Sequence, residues 1–71
     1  MKIRYTAHAK ERLRERGIKK SEIEEAVING QKREVQSNGS ILCKYTKGGK
    51  ELILIYWQEK DKYKIITAYR N

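Results

Sequence analysis

Residues Leu52 to Trp57 read Leu-Ile-Leu-Ile-Tyr-Trp, six apolar or aromatic side chains without a break. Successive residues of a strand point to opposite faces, so an unbroken run needs cover on both. This run predicts a central strand. The whole chain has 71 residues, and a chain of that size buries only about 60% of its unfolded surface. Few elements are left to supply the second cover. Proline is absent and no repeat or low-complexity linker appears, so residues 1–71 are read as one domain.

The elements around that strand follow from local signals. Lys2 to Tyr5 alternates polar and apolar residues, with Ile3 and Tyr5 on one side, as a short first strand or an extended lead-in does. Thr6 is a suitable N-cap for a helix over Ala7 to Arg16, and Gly17 ends it in the left-handed region. Ile18 is an apolar plug. Ser21-Glu22-Ile23-Glu24 has the pattern of a capping box opening a second helix over Glu22 to Asn29, closed by Gly30. Ile23, Ala26 and Val27 form its apolar face. Neither helix is long enough to stand alone, so the two are expected to pack as a hairpin.

The remainder reads as strands. Gln31 to Gln36 is polar and weak, an edge strand. Asn38-Gly39 has the pattern of a two-residue hairpin turn. In Ser40 to Thr46, Ile41, Cys43 and Tyr45 share one face and Leu42 and Lys44 the other. Gly48-Gly49 is a second turn. In the last strand, Tyr63 to Arg70, Ile65, Thr67 and Tyr69 are expected on one face, with Ile66, Ala68 and Arg70 on the other. The sum is an α+β domain: a helical hairpin on a four-stranded antiparallel meander sheet. Two short helices cover one sheet face only. The second face is expected to bend over itself, pair with another chain, or form a binding groove.

Charge narrows the partners. Lys and Arg number 17 against 9 Asp and Glu, a net charge of +8. Such an excess points to a polyanion: RNA, DNA or an acidic protein. The single cysteine excludes an internal disulfide and fits a reducing, cytoplasmic compartment. One His and one Cys cannot build a zinc site within one chain. The acids are scattered among cations, so no metal or other cofactor is expected. No apolar run approaches the ~20 residues of a membrane span, and Met-Lys-Ile-Arg-Tyr-Thr lacks the apolar core of a signal peptide.

The first helix carries the densest chemistry. His8, Arg12 and Arg16 are spaced by four and form one stripe beside Ala9 and Leu13, the residues that helix can bury. Histidine transfers protons near neutral pH, and arginine holds phosphate through paired hydrogen bonds. A base with guanidinium groups is what metal-free RNA cleavage requires. The alternative is that His8 orients the first turn while Arg12 and Arg16 bond to backbone carbonyls. Lys44, Lys47, Lys50 and Arg70 are interleaved with Tyr45, Tyr56, Trp57 and Tyr69, a pattern that suits single-stranded RNA. Tyr56 and Trp57 sit in the central strand and are expected to fill the core. Cys43 reads as a small buried residue rather than a nucleophile paired with His8.

The opening His8-Ala9-x-x-Arg12-x-x-x-Arg16-Gly17-Ile18, with the Ser-Glu-Ile-Glu-Glu helix and the final Ile-Ile-Thr-Ala-Tyr strand, resembles a family of small prokaryotic domains of unknown function. These in turn are similar to distant relatives of RelE/ParE-type toxins. That likeness implies a basic domain with an N-terminal helical hairpin on an antiparallel sheet. Its RNA-cleaving members are metal-independent endoribonucleases silenced by a cognate antitoxin. Their catalytic Lys, Arg and Tyr residues lie on strands, and Lys44, Tyr69 and Arg70 are the matches here. His8 matches instead the His-Ala opening of the nearer family. ParE-type members act on gyrase rather than RNA.

Three functions are therefore in competition. The first is a toxin-like endoribonuclease acting on single-stranded RNA, including ribosome-bound mRNA, with His8, Arg12, Lys44, Tyr69 and Arg70 as catalytic groups. Arg16, Tyr45, Lys47 and Lys50 would then bind the strand, and a small acidic antitoxin would be the protein partner. The second is a basic module that binds nucleic acid or an antitoxin and cuts nothing. The third is an interaction protein, such as a homodimer, joined through the second sheet face.

Overall fold

A computed structural model describes residues 2–71. The order of elements is β1 (Lys2–Tyr5), α1 (Ala7–Arg16), α2 (Lys20–Asn29), β2 (Lys32–Val35), β3 (Ile41–Lys47), β4 (Lys50–Glu59) and β5 (Lys62–Arg70). The apolar run lies inside β4, which takes a central place in a sheet ordered β1-β5-β4-β3-β2. The fold is α+β, and β2 to β5 form the expected antiparallel meander. The sheet is nevertheless five-stranded and mixed, because β1 pairs with β5 in parallel. Hairpins occupy every inner place and leave the outer edge of β5 open. The alternating segment Lys2–Tyr5 fills part of that edge.

α1 forms as its sequence dictates. Ala9 N donates to Thr6 Oγ1 at 2.9 Å, and Gly17 closes the helix at φ 63°. α2 starts earlier than its capping pattern suggests. Lys19 is the N-cap, and its backbone N–H donates to Glu22 Oε2 at 2.8 Å. Glu22 thus takes the role expected of Glu24, two residues upstream, and Ser21 lies inside the helix. Gly30 ends α2 at φ −53°, so left-handed geometry is not its reason. A Cβ there would collide with Cys43 Sγ and lie 2.8 Å from the Ala26 carbonyl oxygen. Gly30 lets the end of α2 lie directly on β3.

Ala9, Leu13, Ile23, Ala26 and Val27 of the helices pack with Cys43, Leu52, Leu54, Tyr56, Ile65 and Ala68 of the sheet. Burying one Leu- or Ile-sized side chain in such a layer contributes about 1.5–3 kcal/mol. α1 packs chiefly on β5 and α2 on β3 and β4. The helices are thus held side by side by the sheet rather than by the hairpin contact expected of them.

Two strand details redirect side chains. A five-residue connection, Gln36 to Ser40, joins β2 and β3, in place of a two-residue turn. Gly48 and Gly49 do form the tight turn, both at positive φ. Between Ile55 and Tyr56 the β4–β5 register shifts: Ile55 faces Thr67, Tyr56 faces Ile65, and Ile66 has no partner. A bulge reverses the alternation beyond it. Ile65 therefore joins Ala68 and Arg70 on the helix side, while Thr67 and Tyr69 face the other way. No described element covers that other face. No described helix is long and apolar enough to cross a membrane.

Candidate nucleic-acid interface

The uncovered face can be read as rows across the sheet. One row runs Lys32, Lys44, Ile53, Tyr69 through β2, β3, β4 and β5. The next runs Glu34, Leu42, Ile55, Thr67. Past the bulge, a third sets Trp57 beside Lys64 and Lys64 beside Arg4. The last sets Glu59 beside Lys62 and Lys62 beside Lys2. The middle is apolar and aromatic, and cations stand at two opposite corners. Six cations oppose three acids here, counting Glu51. Ile53 is only 4% exposed yet lies outside the helix-side core. With no helix above it, its cover comes from the side chains of the face itself.

Trp57 is 36% exposed, which corrects its assignment to the core. Tyr56, its neighbour, is buried at 1%. Adjacent strand residues point to opposite faces, so one of the pair had to leave the helix side.

Lys44 and Tyr69 are thus brought together. Each lies directly opposite Ile53, so their backbones stand about 10 Å apart, twice the strand spacing. Arg70 is not part of this group. It lies on the helix side, where Nη2 donates to both Glu22 carboxylate oxygens at 3.0 and 3.1 Å and to the Gly17 carbonyl at 3.2 Å. Lys47 also faces the helices, bonded to Glu25 Oε1 at 2.7 Å. Together with Tyr45 and Lys50 it lines a small cleft that also contains Glu22, Glu25 and Arg70. Cations on that side work against carboxylates of this chain, which weakens any hold on a phosphate. The Lys19 backbone N–H, and after it Arg70, keep the Glu22 carboxyl below its usual range. Glu25 holds the Lys47 ammonium protonated to higher pH than usual.

The stripe on α1 splits similarly. Ala9 and Leu13 are buried beside it, as expected. Arg16 Nη1 donates to the Ala68 carbonyl at 2.8 Å, which ties the end of α1 to β5 beyond the reach of β1. Arg12 pairs with Glu15 at 2.6 Å. His8 is exposed on the first turn. The Cys43 thiol is fully buried, donates to the Ala26 carbonyl at 3.5 Å, and is pushed up by burial against the opposing pull of Arg33. A buried thiol with a raised pKa is a poor nucleophile.

Arg4, Lys32 and Lys64 also stand on this face without having been named as candidates, and Trp57, named among the aromatics interleaved with cations, was assigned to the core. The signal for Lys32 was its alternation with the edge strand. For Trp57 it was the alternation with Tyr56 along β4, and for Lys64 it was hidden, because the bulge resets which residues of β5 share a face. A family model described as a domain of unknown function (DUF4258) matches residues 5–70. The match agrees with the resemblance to small domains of unknown function and carries no link to toxins. No curated protein and no solved structure matches the chain.

Proposed function

The chain belongs to the DUF4258 family, and for this member we propose that the uncovered sheet face binds single-stranded RNA. One observation carries the reading: an apolar and aromatic centre, Ile53, Ile55, Trp57 and Tyr69, lies between cation groups at opposite corners. Unpaired bases stack on such rings while phosphates meet the flanking charges. A duplex keeps its base faces stacked inside and gains nothing from the apolar centre.

A second reading, metal-independent cleavage of the bound strand, is favoured by Lys44 and Tyr69 flanking one residue. In that reaction a base takes the proton of a ribose 2′-OH and the oxygen attacks the adjacent phosphorus. The 5′-oxygen then leaves with a proton from an acid. Lys44 would stabilise the phosphorane charge, Tyr69 would supply the proton to the leaving oxygen, and a water molecule would take the 2′-OH proton, since His8 stands on α1, away from this face. An acidic antitoxin would be the partner of such an enzyme.

Labelled single-stranded RNA, titrated with the protein at several salt concentrations in the presence of a chelator, tests both. Binding whose logarithm falls with log salt at a slope of about −3, as for roughly four neutralised phosphates, with the strand intact, supports the module. Strand shortening by wild type and not by Tyr69→Phe establishes the enzyme. Absence of binding at low salt removes both.

A further inference from the structure

We infer that Trp57 is a fixed stacking platform for one unpaired nucleobase, with Lys64 and Arg4 beside it to take the adjoining phosphate. This rests on the RNA-binding reading and gives it a definite station. Trp57 is the chain's only tryptophan and keeps 36% of its surface exposed. An aromatic ring left open between charged residues is the kind of group that binding sites use.

The ring is held by the connection between β2 and β3. Gly39, at φ 89°, abuts it so closely that a Cβ there would lie 3.2 Å from Trp57 Cζ3. The connection is itself braced. Ser40 is fully buried, its N–H donates to Asn38 Oδ1 at 3.0 Å, and its hydroxyl lies 2.6 Å from Asn38 Oδ1 and 3.0 Å from Gln36 Oε1. Gly39 N–H donates to the Gln36 carbonyl at 2.9 Å and Gln36 N–H to the Ser40 carbonyl at 2.8 Å. A ring ordered before binding loses little freedom when a base settles on it.

The charge beside the ring is available. Lys64 lies directly opposite Trp57 and Arg4 directly opposite Lys64. Both are exposed, and neither is among the ion pairs of the described residues. An aromatic ring with two free cations on one side matches the two parts of a nucleotide.

The sole tryptophan reports on its own site. Its emission is followed while the protein is titrated with a short single-stranded RNA, an abasic phosphodiester strand of equal length, and a duplex of the same sequence. Anisotropy of end-labelled strands gives affinity in parallel. The single strand is expected to quench Trp57 and to bind at least about fivefold more tightly than the abasic strand, the lower end of the range for one stacked base. Trp57→Ala should lose that advantage and Trp57→Phe should keep most of it, which separates stacking from support of the fold. If the RNA binds but leaves Trp57 unquenched and the abasic strand binds equally well, the platform is wrong and RNA binding stands. Equal quenching by the duplex also overturns it. If no strand binds, both readings fall together.

Discussion

Arg70 Nη2 holds the Glu22 carboxylate at 3.0 and 3.1 Å, so the last residue of β5 is fastened to the first turn of α2. The same guanidinium nitrogen reaches the Gly17 carbonyl. Arg70 therefore joins the loop between the helices to the sheet and turns away from the candidate interface. Arg70→Ala is expected to lower stability by about 1 kcal/mol or less, since both partners are partly exposed, and to leave RNA affinity unchanged. Urea denaturation and strand-binding titrations on the same variant check the two halves.

Glu22 gives that junction a pH dependence. Its folded pKa lies below its unfolded value. The stabilisation is thus complete above the unfolded value of about 4.3 and is lost as pH falls through the folded one. Glu22→Gln should flatten the acid side of the stability profile and change little near neutrality beyond a constant offset. An unchanged acid limb in urea titrations between about pH 2 and 6 would count against the role.

Lys44 and Lys64 stand at opposite corners of the open face. Each neutralised phosphate adds about 0.7 to the salt slope for single strands. Lys44→Ala and Lys64→Ala should each reduce the slope by about that amount, and the double variant by about twice it. Lys47→Ala, on the helix side and engaged with Glu25, should leave the slope alone. Affinity measured across a salt series distinguishes these outcomes.

Gly30 is a packing requirement. Gly30→Ala drives a methyl group into Cys43 Sγ and is expected to cost about 1–3 kcal/mol, as overpacking does. Cys43→Ala removes the clash with the thiol but not the contact with the Ala26 carbonyl oxygen, so it should cost less in the Gly30→Ala background than on its own. A double-mutant cycle on denaturation free energies should return a favourable coupling between the two sites.

The parts legible from local chemistry were those with their own signal. Thr6 and Gly17 bounded α1, the Leu52–Trp57 run located the central strand, and Gly48-Gly49 marked a tight turn. Tyr69 and Arg70 were less well read as a pair, although strand geometry already forbids adjacent residues from sharing a face. The bulge at Ile66 left no local mark. It arises from how β4 and β5 fit together, and it decides that Thr67 rather than Ile65 faces outward. The parallel pairing of β1 was equally non-local, because it depends on which sheet edge the meander leaves open.

That pairing has a consequence for how the domain is made. Lys2 lies beside Lys62, and α1 packs mainly on β5. During synthesis residues 2–16 emerge well before β5, the surface on which β1 and most of α1 settle. The domain therefore forms late and cooperatively, through contacts of high sequence separation that slow folding. Until then a strongly basic segment stays accessible on the nascent chain.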